Sequence, residues 1–361
     1  MRRLRLAPSA LISAAVACLV LDGCHGGRDC ISPTSSDAQG WASPLQTTLL
    51  GDMDGDGLPS VSDAISILRI VVGFAELTPV ADCDGDGVGG VADAIMVLRC
   101  VVGLLDWPIG YGGRLGPDGQ WLLLVSAGSF TMGNDGDVAN ERPAHEVSLD
   151  DFWIGRCEVT NEQYAAFLNG AVSPDVENWL EVSDEDCGVE LVGSSYQAKD
   201  GLEDYPVVEV SWHGATAYCE HYGYSLPTEA QWEYAARGPS GSEYPWGDVW
   251  DADRCCNTGN RGPGGKAAPV GSYLDGASWC GALDMAGNVW EWCADWYSAT
   301  YYQVSPVENP PGPDDGVARV YRGGSWLLGE DFCRAARRVS GAPAITWDDG
   351  GLRVAQAVEG Q

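Results

Sequence analysis

Apolar positions along the chain fall into three patterns, each predicting a different kind of element. Near the N-terminus an apolar run, broken only by Ser13, extends from Leu11 to Leu21, behind Arg2, Arg3 and Arg5. The run is too short to span a bilayer comfortably, and its basic flank predicts a cleaved bacterial export leader. Farther on, Ala64 to Val72 and Ala94 to Val102 carry the spacing of an amphipathic helix, and each stretch ends at a glycine, a residue suited to a helix stop. Beyond Gln120 the pattern is mixed. Trp121 to Val125 and Val207 to Val210 read as strands, while helices are predicted over Asn161 to Leu168, behind Thr160 as N-cap, and over Glu229 to Arg237, behind Thr228. Glycine and proline turns separate these elements, so the fold class is α+β with much irregular chain.

Composition supplies the boundaries. His25 to Leu50 is rich in Ser, Pro, Gly and Thr and reads as a flexible stalk, and Asp106 to Gln120, with Pro108, Pro117 and five glycines, reads as a second linker. The expected organisation is a leader over 1–24, a linker over 25–50, a repeat over 51–103, a linker over 104–120 and a large domain over 121–357.

The repeat carries its own chemistry. DMDGDGLPSVSDAISILRIVVG, from Asp52, and DCDGDGVGGVADAIMVLRCVVG, from Asp82, align without gaps at a period of 30. Asp52, Asp54, Asp56 and Asp63, then Asp82, Asp84, Asp86 and Asp93, occupy loop positions one, three, five and twelve. Carboxylates at that spacing wrap a calcium ion; Gly57 and Gly87 allow the turn at position six, and Leu58 and Val88 present backbone carbonyls at position seven. Position nine is Ser60 in one copy and Gly90 in the other, where water would serve as a ligand to the second ion. Loop followed by helix, twice, resembles the dockerin module, a small α-helical EF-hand-type unit. That resemblance implies a cohesin-type protein partner, and the rival is an acidic, turn-rich linker.

Charge narrows the partners. Acidic residues outnumber basic ones 52 to 20, for a net charge of −32, which repels nucleic-acid phosphates and anionic lipid surfaces. Nucleic acid is therefore set aside, and membrane contact is expected only through a lipid anchor. Leu21-Asp22-Gly23-Cys24 resembles a lipoprotein cleavage box with Cys24 as the lipidated residue; cleavage after Ala15-Val16-Ala17 is the alternative. Export to the cell envelope or the medium permits disulfides. Loss of Cys18 and lipidation of Cys24 would leave an odd number of the 13 cysteines, with connectivity unreadable from spacing.

The large domain holds an ordered series of short motifs: FTMG from Phe130, ERPAHEV from Glu141, EVTNEQY from Glu158, PVVEVSW from Pro206, LPTEAQWEYAARG from Leu226, YPWG from Tyr244, LDMAGNVWEW from Leu283, RGGSW from Arg322 and GLRVA from Gly351. The series resembles the formylglycine-generating enzyme family, also called sulfatase-modifying factors, over roughly Trp121 to Ala357. The resemblance implies a fold related to C-type lectin domains and low in regular secondary structure. It also implies oxidation of a sulfatase cysteine to formylglycine.

The same resemblance implies site residues. A calcium site would use the carboxylates of Asp284 and Glu291 and the carbonyls of Gly287 and Val289; otherwise Asp284 caps a turn and Glu291 pairs with an arginine. A second site would begin at Asn257 and Thr258, but its aspartate falls at Gly262. Two cysteines after the GGS motif would hold copper(I), a soft ion that favours thiolates. Ser325 and Cys333 match the catalytic pattern, whereas Leu328 stands at the first cysteine. One thiolate cannot form the two-sulfur site, which argues against copper. One family disulfide would join the positions of Ala236 and Arg338, and another would pair Cys219 with the position of Val354; of these four only Cys219 is a cysteine. The leading expectation is an exported recognition or scaffold module tethered through the repeat, with an unknown protein or glycan ligand. The alternatives are a formylglycine-generating oxidoreductase using Cys333, or a carbohydrate-binding component of a polysaccharide-degrading assembly. The 15 tryptophans invite a sugar-stacking role, but Trp153, Trp232, Trp290, Trp292 and Trp326 lie inside motifs, where packing is the expected use.

Overall fold

The computed structural model describes residues 53, 61–71, 94 and 113–358, except 137, 173 and 174. In the repeat, helix α1 covers Val61–Val71 and so starts three residues before the predicted Ala64. Asp63, the twelfth residue of the first loop, lies buried in its first turn and accepts the Met53 N–H at 2.8 Å. Asp52, Asp54, Asp56, Leu58 and Ser60, together with Asp82, Asp84, Asp86, Val88, Asp93 and Cys24, lie outside the described residues.

The large domain is built on two four-stranded sheets. The first has the order β1 (Gly113–Leu115), β2 (Trp121–Val125), β5 (Phe152–Gly155), β12 (Ala355–Ala357), all antiparallel. The second runs β10 (Arg338–Gly341), β9 (Arg319–Arg322), β8 (Trp290–Trp296), β11 (Gly350–Leu352), with β11 parallel to β8. Hairpins β3 (Gly128–Met132) with β4 (His145–Leu149), and β6 (Val189–Val192) with β7 (Ser195–Ala198), complete the strands. Helices α2 (Asn161–Gly170), α3 (Val176–Trp179), α4 (Trp212–Tyr222) and α5 (Glu229–Arg237) pack around them.

The apolar run of β2 is buried on both faces. Leu122 enters one core with Tyr164, Phe167, Tyr218 and Trp292, while Leu123 and Val125 enter the other with Phe130, Phe152, Ile154 and Trp232. Side chains alternate across a strand, so a sheet between two cores needs apolar residues at every position.

Both predicted helix starts stand, each as a reciprocal cap. Thr160 accepts the Gln163 N–H and its own N–H is accepted by the Gln163 side chain; Thr228 and Gln231 do the same. Two expectations change. Val207 to Val210 forms no strand, only an isolated bridge from Val210 to Leu180 beside another from Pro206 to Thr160, and Ser211 caps α4 immediately afterwards. The expected linker over 104–120 already contains β1: Gly113 lies so close to Trp121 that a Cβ would sit 2.4 Å from Nε1, and Asp118 accepts the hydroxyls of Tyr218 and Tyr224 at 2.6 and 2.7 Å. Small residues that permit a close approach resemble a linker in composition.

The charged side of α5 faces inward. Glu229, Glu233 and Arg237 are buried against Arg322 and Arg338. Arg338 grips Glu229 through Nε at 2.7 Å and Nη2 at 2.6 Å, Arg322 reaches both glutamates, and Arg237 Nη1 donates to Glu233 at 2.8 Å. Burial pushes the Glu233 carboxyl up, but Arg322, Arg237 and the Gly133 N–H hold it below the usual range. Arg338 thus stands as an ion-pair partner where the resemblance implied a disulfide with the position of Ala236.

Candidate functional site

The RGGSW segment follows β9 and turns sharply. Gly323 and Gly324 have φ of 100° and 81°, and a Cβ on Gly324 would lie 2.8 Å from the Phe332 carbonyl oxygen and 3.1 Å from the Cys333 sulfur. Only glycine permits this backbone to pass there. The turn places Ser325 fully inside the protein, where its hydroxyl donates to Asp349 Oδ2 at 2.6 Å. Burial pushes the Asp349 carboxyl up, and the Ser325 hydrogen bond opposes it. Asp349 precedes the GLRVA motif and gave no sign of pairing with Ser325, because the two lie 24 residues apart.

Cys333 is also fully buried, among Cys255, Ala286 and the indoles of Trp246 and Trp250. The adjoining Cys255 thiol, together with burial, holds its pKa well above the ordinary thiol range. A nucleophilic or metal-ligating sulfur must ionise and be reached, and this one does neither. Leu328 is half-buried against the first core. Ser325, Leu328 and Cys333 therefore belong to packed wall.

The open concavity lies beside them. A cleft of about 250 Å³ is lined by Asn161, Leu202, Tyr205, Lys266, Trp326 and Asp348, among others. Lys266 pairs with Asp186 in this wall. Asn161 is almost completely buried; its Nδ2 donates to the Leu202 carbonyl at 2.8 Å, and its Oδ1 has no partner.

Comparison with known proteins joins these features to a family. The sequence model of the sulfatase-modifying factor enzyme 1-like domain matches residues 117–358, about two thirds of the chain. The chain belongs to this family. A formylglycine-generating enzyme of Streptomyces coelicolor is 36% identical over 279 residues, covering 64% of this chain and 88% of that enzyme. A serine/threonine-protein kinase Pkn1 of Chlamydia trachomatis is 35% identical over 242 residues, but the match spans only 38% of the kinase. Among solved structures, PvdO from Pseudomonas aeruginosa aligns with a TM-score of 0.54 and 28% identity, covering 67% of this chain and 96% of that one.

Within this sulfatase-modifying-factor domain the expected calcium turn has an altered set of contacts. Glu291 is fully buried, and Arg353 grips it through Nε at 2.9 Å and Nη2 at 2.6 Å while Trp232 Nε1 donates at 2.7 Å. The same arginine donates to the carbonyls of Gly155, Arg156 and Leu283. Glu291 is thus the arginine partner that the alternative reading described. Asp284 sits at φ 58°, accepts the Gly271 N–H at 2.6 Å and faces Glu158, a residue that motif reading had missed. Glu158 Oε1 accepts the Asn288 amide at 3.0 Å, and its Oε2 has no partner. Burial pushes both carboxyls up; the charge of Asp284 raises Glu158 further, whereas the Gly271 N–H, Arg353 and the hydrogen bond with Glu158 oppose the rise at Asp284. Two buried carboxylates in contact must share either a proton or a cation. A hard, oxygen-only calcium set would therefore use Asp284 and Glu158 rather than Glu291, whose oxygens Arg353 and Trp232 occupy. Among the described residues no three His, Cys, Asp or Glu side chains converge as a metal group.

The second predicted site is taken up locally. Asn257 Nδ2 donates to the carbonyls of Ala252 and Cys255, its Oδ1 accepts the Gly259 N–H, and a Cβ on Gly262 would lie 2.2 Å from the Ala267 carbonyl oxygen. Of the two remaining cysteine expectations, Cys219 and Val354 share one core cluster, and Cys219 is a free, buried thiol. Most motif tryptophans pack as expected: Trp232 and Trp292 are fully buried, Trp290 and Trp326 nearly so, and Trp153 is half-buried beneath the Arg114 guanidinium at 4.9 Å.

Proposed function

We propose that this is an exported protein whose sulfatase-modifying-factor domain recognises a protein or glycan ligand rather than oxidising one. The observation that supports this reading is the sealed interior around Ser325 and Cys333, with Leu328 in the place of a second thiol. Copper(I) held in a family-type site needs two accessible thiolates, and the residues here do not fit it. The cleft beside Trp326 and Asn161 is the recognition surface in this proposal: the unpaired Asn161 Oδ1 calls for a ligand N–H or O–H donor. The domain's relation to C-type lectin folds is part of the same reading.

The remaining parts of the proposal rest on the sequence. The leader directs export, with Cys24 as a lipid anchor in the cell envelope or full secretion as the alternative. The repeat is a dockerin-like EF-hand module that binds two calcium ions and tethers the domain to a cohesin-type protein. Calcium also bridges Asp284 and Glu158 in the large domain. Among the described residues no helix is long and apolar enough to cross a membrane.

A formylglycine-generating oxidoreductase is the second reading, favoured by the bacterial relative of that name and its 88% coverage. One assay separates the two. Full-length protein is incubated with a sulfatase-type cysteine peptide, copper and oxygen, and the peptide is followed by mass spectrometry. The recognition reading expects unchanged cysteine, whereas conversion to formylglycine that disappears in Cys333→Ser would overturn it.

A further inference from the structure

Eight thiols are free among the described residues, and all but Cys157 are buried. Most are scattered small core residues, but two of them meet. Cys255 closes the short 3-10 turn Ala252–Arg254, and Cys333 closes another, Glu330–Phe332. Both side chains enter the same small cluster beneath Trp246 and Trp250, where the two cysteines pack together with Ala286. Each sulfur is held from its own side. Asn257 Nδ2 lies 3.5 Å from the Cys255 sulfur, and the Gly324 backbone packs against that of Cys333. Cys256 is turned the other way: its thiol donates to the Lys266 carbonyl at 3.5 Å, in a separate cluster with Ala268 and Trp326.

We infer that Cys255 and Cys333 close a disulfide that pins the 251–260 loop to the RGGSW turn. The geometry stands without the export proposal; the inference rests on export only for the compartment in which oxidation takes place. Two S–H bonds break and one S–S bond forms. The two protons and two electrons pass to an acceptor disulfide, such as oxidised glutathione or a disulfide oxidoreductase, which leaves as two thiols.

The timing follows from burial. Exchange needs a thiolate that the acceptor can reach, and in the folded domain both sulfurs are buried. Oxidation therefore belongs to folding, before Trp246 and Trp250 close over the pair, and the finished bond is shielded from reductant. The bond also removes Cys333 as a free thiol, so the only cysteine retained from the family's catalytic pair becomes a structural one. A loop of about 80 residues is closed, a length at which cross-linking strongly restricts the unfolded chain.

The test uses the full chain, refolded in a mixture of reduced and oxidised glutathione. It is then denatured, alkylated without reductant, digested and mapped by mass spectrometry. The expected product is one linked peptide pair containing Cys255 and Cys333, absent after reduction and absent in Cys255→Ser, where Cys333 becomes alkylated. In the native state the link should resist dithiothreitol and yield only on unfolding. Oxidised protein should melt roughly 10 °C above both its reduced form and the double variant Cys255→Ala/Cys333→Ala. The reduced wild-type chain serves as the comparison even where a variant folds poorly. Quantitative alkylation of both cysteines in refolded protein, or a link from Cys333 to Cys256, would overturn the inference. A link present after refolding but missing from protein collected behind its own leader would uphold the pair and count against export.

Discussion

Several side chains of this domain carry charge where water is absent, and their ionisation links stability to pH. Asp295 is the clearest case. Burial, followed by the charge of Glu229, pushes its carboxyl up to about 7, although it still accepts the Glu229 N–H at 2.7 Å. A carboxyl whose folded pKa exceeds its unfolded value contributes stability that is complete below the unfolded pKa and is lost as pH rises through the folded one. Thermal stability in chelator should therefore fall between about pH 4 and 7, by roughly 3 °C per pH unit for one proton. Asp295→Asn, which keeps an acceptor for the Glu229 N–H, should flatten that slope when followed by calorimetry. An unchanged slope would mean that Asp295 does not titrate there. Glu233 has the opposite sign, because its carboxyl is held low, so its contribution is present at neutral pH and is lost only under acid.

Helix α5 connects local and distant interactions. Its N-terminus is fastened by the Thr228 and Gln231 cap, a local device, whereas its charged face depends on Arg322 and Arg338 from the second sheet. The two contributions differ in size. Thr228→Ala removes one cap and should cost about 1 kcal/mol. Arg322→Ala strands the buried charges of Glu229 and Glu233 and should cost about 3–5 kcal/mol. Denaturant melts of both variants test the ranking, and equal losses would show that the buried pairs add little beyond the helix start. The cap was legible in the sequence because a Thr and a Gln three residues apart are its signature. The destination of the charged face was not legible, since a polar stripe on a helix ordinarily faces solvent. Here arginines 93 and 109 residues away bury it.

The chain as a whole is strongly acidic, and three of its arginines are fully buried. Arg322, Arg338 and Arg353 are essentially inaccessible, and each pairs with a buried glutamate, so these pairs are neutral and the acidic excess of the chain lies elsewhere, leaving a strongly acidic surface. Such a surface, with eight aspartates in the repeat and the Asp284 and Glu158 pair within, favours divalent cations. Calcium added to chelated full-length protein should raise its melting temperature. Isothermal titration should register two ions lost separately by Asp52→Ala and Asp82→Ala, and a further one lost by Asp284→Asn. Heat of binding that none of these variants changes would sink the calcium proposal.

The motif series, the capped starts of α2 and α5 and the absence of a thiol at residue 328 could all be read from residues adjacent in the chain. So could the family, because each motif records a tight local requirement, such as glycine where the RGGSW backbone passes Phe332 and Cys333. The partnerships could not be read in this way. Ser325 with Asp349, Glu291 with Arg353, Glu141 with Arg334 and Cys255 with Cys333 join residues from 24 to 193 positions apart. No local pattern carries such a pairing, because the mutual attraction that offsets the cost of desolvating both members acts only after the two sheets and their loops have closed. Closure also turned an expected linker into β1 and made Glu291 an ion-pair partner. It left Cys333, legible as half of a catalytic pair, sealed against another thiol.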